Sequence, residues 1–235
     1  MIDCETCIHY EDYSYCEECE HLDRDLRDHY REASPETIAK RKEETRQRLI
    51  KQAIHDWVEC DMSDDFKRLF KIAQKCVANM HFREALMCVH AAEEGFLVAS
   101  NTRILLELAC DVIPEQLKGK NILKLEDDRA AINNNAYPNY KELFKGYALY
   151  STTSYKEFTR EEYNDDDKDY YYQGHNPIYL CNSDKKVLIN ENYLNLMQET
   201  LTGQIFVTCY QGIRPLLFAG ENGQMLIVPL KPIQL

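Results

Sequence analysis

Four cysteines stand within the first twenty residues of this 235-residue chain, at Cys4, Cys7, Cys16 and Cys19. They form two Cys-x2-Cys pairs that are separated by eight residues. Four thiolates are the ligand set of a closed, tetrahedral structural Zn²⁺ site, and each short pair can direct two sulfur atoms at one ion. The pattern therefore predicts a structural zinc module over residues 1–33, with two disulfides or four free thiols as the alternatives.

The remaining cysteines favour zinc over disulfides. They stand singly, mostly within apolar runs, as is typical of reduced and buried thiols: Cys60, Cys76, Cys88, Cys110, Cys181 and Cys209. The sequence shows no stretch that resembles a signal peptide and no apolar run of membrane-spanning length, which predicts a cytoplasmic protein. His9 and His21 lie near enough to replace a thiolate, but four cysteines already complete the shell. We therefore expect the metal to be structural rather than catalytic.

The charge balance argues against a protein that coats nucleic acid with its whole surface, because the net charge is −12. One predicted helix nevertheless carries a basic stripe. Lys67, Lys71 and Lys75 recur every four residues with Arg68 beside them, and the stripe contains no acid after Asp65. It is the candidate surface for the phosphates of a nucleic acid. Lysines that only keep an amphipathic helix soluble are the alternative.

Two helices are predicted from their first residues. Ser34 is an N-cap followed by Pro35 at the first helical position, and this helix is expected to extend to about Cys60. Ser63 caps the second helix, which carries the basic stripe on one side. Its other side is an apolar stripe of helical period: Phe66, Leu69, Phe70, Ala73, Cys76 and Val77.

Short aliphatic runs that are typical of strands follow this helix at residues 85–91, 96–99 and 103–109. A helix predicted over 190–201 is followed in the same way by runs at 204–210, 214–219 and 224–229. Residues 120–125 and 186–189 are further strand candidates, and residues 147–179 are expected to be a long loop with short strands. Because a helix followed by three strands occurs twice, the sequence predicts an α+β fold of helices packed on antiparallel sheet.

Three segments near the end of the chain carry a resemblance to a known family: residues 186–194 (Lys-Val-Leu-Ile-Asn-Glu-Asn-Tyr-Leu), 213–218 (Ile-Arg-Pro-Leu-Leu-Phe) and 225–230 (Met-Leu-Ile-Val-Pro-Leu). They resemble the end of the bacterial and phage β sliding clamps, the processivity factors of DNA polymerases. Residues 137–144 begin Tyr-Pro-Asn-Tyr and resemble the Tyr-Pro-Asp-Tyr link between two clamp domains. Residues 97–103 are similar to the clamps' Val-Ala-Thr-Asp-Gly-x-Arg, one residue short and without Asp-Gly. The resemblance covers roughly residues 62–235.

The zinc module (1–33) and the connecting helix (34–61) lie outside this resemblance, which implies two shortened clamp-like domains (62–145 and 146–235). In clamps, helices line a ring around duplex DNA, and the last residues border a pocket for short peptides of polymerases and loaders. Val228, Pro229 and Leu230 are therefore expected at a partner-binding groove. The helix over 190–201 carries Glu191 and Glu199 but no basic residue, so it is expected to line a ring poorly.

Two functions follow as hypotheses. The first is a non-enzymatic, sliding-clamp-like platform for replication that binds duplex DNA non-specifically, recruits DNA polymerase or other replication proteins, and assembles as a homo-oligomer. The alternative is a monomeric clamp-fold adaptor or decoy that binds a host replication or defence protein without encircling DNA. A zinc-dependent hydrolase is disfavoured, since the sequence contains no His-Glu-x-x-His, no Gly-rich phosphate loop and no Gly-x-Ser-x-Gly.

Overall fold

The computed structural model of the chain describes residues 34–79, 83–145, 147, 152–163, 176–183, 186–208 and 215–230. Cys4, Cys7, Cys16 and Cys19 lie outside the described residues. The chain divides into two compact units, Met1–Gln52 and Ala53–Leu235. The second unit is called the body below.

The first helix, α1 (Pro35–Ala53), begins as predicted, because Ser34 Oγ accepts a hydrogen bond from Thr37 N at 3.2 Å. The predicted end at Cys60 was wrong. Ala53 O accepts a hydrogen bond of 2.9 Å from Asn133 Nδ2, which satisfies a carbonyl of the last turn from outside the helix. Residues Asp56–Glu59 form a strand instead. Their aromatic and β-branched centre suits a pleated sheet, and tertiary pairing overrides the helical period.

The described part of the body contains three helices and thirteen strands. The helices are α2 (Asp64–Gln74), α3 (Lys141–Lys145) and α4 (Glu191–Thr200). The strands are β1 (Asp56–Glu59), β2 (Val89–Ala92), β3 (Phe96–Ser100), β4 (Ile104–Ala109), β5 (Asn121–Glu126), β6 (Arg129–Asn133), β7 (Thr152–Ser154), β8 (Thr159–Glu162), β9 (Pro177–Cys181), β10 (Lys186–Asn190), β11 (Phe206–Thr208), β12 (Leu216–Gly220) and β13 (Gly223–Ile227). Short 3-10 turns cover Glu84–Met87, Glu115–Leu117 and Tyr155–Glu157.

Ten of these strands form one antiparallel sheet in the order β1-β6-β5-β2-β3-β4-β13-β12-β11-β7, and the other three form a smaller sheet, β10-β9-β8. The predicted repeat is confirmed, because β2-β3-β4 follow α2 and β11-β12-β13 follow α4. The two repeats meet where β4 pairs with β13, from Ile104↔Ile227 to Leu108↔Gly223. The α+β fold of helices on antiparallel sheet is thus confirmed.

The junction between the repeats depends on Gly223. Its φ is +156°, and a Cβ at this position would lie 2.3 Å from Glu107 O and 3.0 Å from Leu108 Cα on the facing strand. Real Cβ atoms do not approach a backbone so closely. Glycine therefore allows β13 to pack against β4 at the point where the two repeats join.

The two faces of the large sheet are covered by different elements. On one face, called the helix face, α2 and α4 contribute Phe66, Phe70, Leu194 and Met197 to the main core. On the other face, called the groove face, Tyr140 and Tyr147 pack with Val98, Leu105, Leu217 and Leu226 in a second apolar cluster. Because side chains alternate along a strand, every central strand contributes to both clusters.

The strand predictions hold for most of the sheet, with two differences. Residues 85–91 were predicted as one strand, but Glu84–Met87 form a 3-10 turn and only Val89–Ala92 form a strand. The strands β1 and β6 were not predicted. Residues 147–179 carry short strands as expected, where these residues are described.

Candidate functional site

The basic stripe lies on the outer side of α2. Ser63 caps this helix by accepting a hydrogen bond from Phe66 N at 3.2 Å, as predicted. The buried side chains Phe66, Phe70 and Ala73 fix which side of α2 meets the sheet. Lys71 and Lys75 are consequently exposed, whereas Lys67 is half-buried. Successive lysines are about 6 Å apart along the axis, since each is four residues from the next.

Half of the predicted DNA-binding cations already have acidic partners. Lys75 Nζ lies 3.1 Å from Glu199 Oε2 of α4, and Arg68 Nη2 lies 3.2 Å from Asp65 Oδ1. The first pair shows that the C-terminal ends of α2 and α4 are neighbours on the helix face. Lys67 and Lys71 form no ion pair with the described residues. The four cations thus share one surface, but only Lys67 and Lys71 are without an acidic partner among the described residues.

The surface of α4 carries a guanidinium that belongs to β8. Arg160 Nη1 donates to Asn195 Oδ1 at 2.8 Å and to Glu191 Oε1 at 3.2 Å. Its Nη2 also donates to Gln198 Oε1, which lies on the same side of α4. These residues follow one another at helical spacing, so the three contacts of the planar guanidinium span about two turns of α4. Glu191 is neutralised by this contact.

The groove face is crossed by the connecting segment, defined as residues 137–145 with Tyr147. Its three tyrosines and Phe144 pack on the sheet, and Tyr147 OH donates to Pro215 O at 2.7 Å. The ring of His90 on β2 stacks on Tyr137 with centroids 4.8 Å apart. The segment that resembles an interdomain link of clamps is therefore attached to strands from both repeats.

Neutral groups hold this segment. His90 Nδ1 lies 2.8 Å from Asn121 Oδ1, and Asn121 Nδ2 donates to Asn135 O at 2.5 Å, so Nδ1 carries the proton of the neutral ring. Burial lowers the pKa of His90, although the Asn121 contact opposes this, and it raises the pKa of Tyr140 to about 12. Tyr140 OH has no hydrogen-bond partner among the described residues. Near neutral pH the rings of this segment that pack on the sheet are thus uncharged, and its charged side chains Lys141 and Lys145 pair with Glu94 and Glu142.

A groove of about 380 Å³ lies beside α3 on the groove face. Its lining is mainly apolar: Ile104, Leu105, Leu143, Tyr147, Pro215, Leu226 and Val228, with Ser100, Thr102, Arg103 and Glu142 at polar positions. It is called the apolar groove below. The side chain of Leu143 is 58% exposed, the highest value for a large apolar residue among the described residues. Both repeats contribute lining residues.

The structure separates the three residues predicted to bind partners. Val228 lines the apolar groove, and its N–H donates to Arg103 O at 2.8 Å. Pro229 is buried. Leu230 donates its N–H to Leu188 O at 2.9 Å and packs against the cluster of Tyr163 and Leu188. Of the three, only Val228 contributes to the groove.

One end of the groove is formed by the turn between β3 and β4. Asn101 Oδ1 accepts hydrogen bonds of 3.0 Å from both Arg103 N and Ile104 N. Thr102 has a φ of +73°, a left-handed conformation that glycine adopts without strain. This segment lacks the Asp-Gly of the clamp motif, and the Asn101 side chain supports the turn in its place.

Most residues that line the apolar groove were not predicted from the sequence. Ile104, Leu105 and Leu226 belong to predicted strands, but nothing in their pattern distinguishes a groove floor from ordinary core. Leu143 offered a signal, because Leu143 and Phe144 form an apolar pair between Glu142 and Lys145 in the segment that resembles a domain link. The Lys75–Glu199 pair joins residues 124 positions apart and could not be read from local spacing.

Other kinds of site are not found in the part of the chain that the structure describes. No three His, Cys, Asp or Glu side chains there are grouped to hold a metal ion. No helix in those ranges is long and apolar enough to cross a membrane. Burial raises the pKa of Cys76 and of Cys88 to about 12, which makes these thiols unreactive near neutral pH.

The sequence matches no protein-family model and no curated protein. Bacterial β sliding clamps are among the solved structures that resemble the body. The DnaN clamp from Bartonella birtlesii bound to griselimycin matches with a TM-score of 0.50 and 9% identity, over 75% of this chain and 66% of that chain. Caulobacter crescentus pol III beta matches with a TM-score of 0.49 and 12% identity, over 76% of this chain and 68% of that chain. The Helicobacter pylori beta clamp bound to DNA ligase peptide matches with a TM-score of 0.45 and 11% identity, over 74% of this chain and 65% of that chain.

At these identities the likeness concerns the fold alone. The chain spans about two thirds of the length of these clamps. The sliding-clamp fold that residues 62–235 were expected to adopt is nevertheless the fold of the structural neighbours.

Proposed function

We propose that this chain is a non-enzymatic, sliding-clamp-like platform for DNA replication. In this proposal the helix face meets duplex DNA, and the apolar groove takes short peptides of DNA polymerase or of other replication proteins. The observation that carries it is the arrangement of the two repeats: both helices lie on one face of a shared sheet, and a groove built from both repeats lies on the other. The fold that the body shares with the Bartonella clamp supports this assignment.

Electrostatics support duplex DNA as the ligand of the helix face. Lys67 and Lys71 are cations without acidic partners among the described residues, on a chain whose net charge is −12. Lysines that contact phosphates hold DNA without reading base edges, as a protein that moves along a duplex requires. Several chains would be needed to surround a duplex, so the proposal includes a homo-oligomer.

Native mass with and without DNA tests the proposal. We expect a multi-subunit species that stays on closed circular duplex DNA and is released when the circle is cut. A monomer that binds neither circular nor linear duplex DNA would contradict the proposal and favour the monomeric adaptor. Retention on linear and circular DNA alike would indicate ordinary surface binding instead of a ring.

The apolar groove has a separate test. Aspartate at position 143 places a charge at the groove rim, where an apolar anchor of a bound peptide would lose its contact. We expect Leu143→Asp to weaken at least tenfold the binding of a labelled short peptide with two large apolar anchors, measured by fluorescence anisotropy. Val112 is also exposed, at 37%, and does not line the groove, so Val112→Asp is the matched control. Equal binding by both variants would remove the groove from the proposal.

The zinc module also remains a proposal. Cys4, Cys7, Cys16 and Cys19 would hold one Zn²⁺, because four thiolates are a complete donor set for a structural site. We expect one zinc per chain by elemental analysis, and loss of that zinc in the Cys4→Ser, Cys7→Ser double variant. The Cys76→Ser, Cys88→Ser variant should retain it. Zinc-free native protein with two disulfides in its peptide map would contradict the proposal.

A further inference from the structure

The charge of the helix face changes along α2. At its N-terminal end Arg68 is paired with Asp65, and at its C-terminal end Lys75 is paired with Glu199. Lys67 and Lys71 have no acidic partner among the described residues. The side chains of Lys75 and Glu199 are 55% and 63% exposed, so the pair lies on the surface that the proposed function assigns to DNA.

The helix α4 adds no positive charge of its own to the helix face. Its sequence contains no lysine or arginine, and its acids are Glu191 and Glu199. The guanidinium of Arg160 lies on α4, but its donors are engaged by Glu191, Asn195 and Gln198. A phosphate near α4 would therefore meet the Arg160–Glu191 pair at its first turn and the Lys75–Glu199 pair at its last turn.

We propose that Glu199 sets the boundary of the duplex-binding surface by withholding Lys75 from phosphates. Contact with the duplex is then confined to a window of α2 centred on Lys67 and Lys71, and α4 faces the duplex without binding it. This inference rests on the proposed function, because it concerns how the same helix face meets DNA. It predicts that Lys71 and Lys75, which occupy successive turns and are both exposed, contribute very differently.

The salt dependence of binding measures the number of phosphates that a protein neutralises. Each phosphate contact steepens the plot of log Kobs against log salt by about 0.9 on duplex DNA. Replacing Glu199 with glutamine leaves a side chain of nearly the same shape but releases Lys75. The plot should therefore become steeper by about 0.9 for every chain that contacts the duplex.

The experiment uses the full chain with a labelled duplex and a series of salt concentrations. We expect Glu199→Gln to steepen the salt dependence and to tighten binding at low salt. Lys71→Gln should make the dependence shallower by about 0.9, whereas Lys75→Gln should leave it unchanged. Glu161→Gln is the matched control, because Glu161 pairs with Lys186 at 2.8 Å with similar exposure, on the three-stranded sheet. It should behave as the wild type.

The outcomes separate the inference from the function on which it rests. Equal slopes for wild type, Glu199→Gln and Lys75→Gln, together with a loss in Lys71→Gln, leave DNA binding intact and overturn the role of Glu199. Equal losses in Lys71→Gln and Lys75→Gln also overturn it, because Lys75 would then reach phosphate despite its partner. A wild-type protein that does not bind duplex DNA at any salt overturns both the inference and the proposed function.

Discussion

The glycine at the junction of the two repeats gives the sharpest test of the fold. At Gly223 an added methyl group would lie 2.3 Å from Glu107 O and 3.0 Å from Leu108 Cα, both in the backbone of β4. The strand β13 would have to withdraw from β4 by roughly 1 Å to restore an ordinary contact distance. Gly223→Ala therefore tests whether the close pairing of β4 with β13 holds the repeats together.

A second glycine supplies the matched control. Gly95 has a φ of +87°, so alanine there is strained as well, but its added methyl group would lie 3.6 Å from Cys110 O, an ordinary contact. The backbone strain of Gly95→Ala is about 1–2 kcal/mol. Gly223→Ala adds the separation of two strands, and each ladder hydrogen bond left unsatisfied costs about 1–3 kcal/mol. With one or two such bonds lost, Gly223→Ala should be less stable than Gly95→Ala by roughly 2–4 kcal/mol.

Urea unfolding of the full chain, followed by far-UV circular dichroism, measures this difference. In thermal melts each kcal/mol lowers the Tm of a unit of this size by about 2–4 °C, so the Tm values of the two variants should differ by roughly 5–15 °C. The m-values should agree, since both variants expose the same surface on unfolding. If Gly223→Ala and Gly95→Ala have the same midpoint, the junction tolerates a wider strand spacing and the reasoning fails.

Two further predictions concern buried polar groups. Tyr140 OH is buried without a partner among the described residues, so Tyr140→Phe should raise the free energy of unfolding by about 1 kcal/mol. Tyr147→Phe loses a hydrogen bond and should lower the free energy of unfolding by about 1 kcal/mol. Thermal melts in which both variants shift Tm in the same direction would contradict this. Burial raises the pKa of Cys76 and of Cys88 from the ordinary thiol range to about 12. Their contribution to stability is therefore fully present below about pH 9 and is lost as the pH rises toward 12. Urea melts at pH 8 and pH 10.5 measure that loss, and alkylation of either native thiol at pH 8 as fast as in urea would show that it is not buried.

The sequence predicted the parts of the fold that are set by local pattern. Ser63 and the apolar period beginning at Phe66 define α2 without reference to any other element, and the structure has both. The twofold order of a helix and three strands follows from the same signals. The strand β1 was missed because the apolar residues that continue the period of α1, Trp57 and Val58, serve equally well in a strand. Only the presence of β6 as a partner decides between the two.

The candidate site was predictable only in part, for the same reason. Its basic stripe lies on one helix, so spacing alone identified Lys67, Lys71 and Lys75. Whether a stripe is positive depends on what lies beside it, and Glu199 comes from the second repeat. The apolar groove likewise combines residues from both repeats, and of the three residues expected there Val228 alone lines it.

The two repeats are packed alike but differ in the charge of their exposed helix surfaces. The buried residues of α2 and α4 occupy the same face of one sheet, and Phe66 and Phe70 have apolar counterparts in Leu194 and Met197. Burial constrains these positions, because a poorly packed helix would expose both itself and the strands beneath it. The outer surfaces have no such constraint, so a basic α2 can be accompanied by a neutralised α4. In a ring of identical chains such helices would alternate around the duplex, and positive windows would be separated by surfaces that do not bind. A duplex held in this way meets each chain at α2 alone, which is the arrangement that the salt dependence of Glu199→Gln measures.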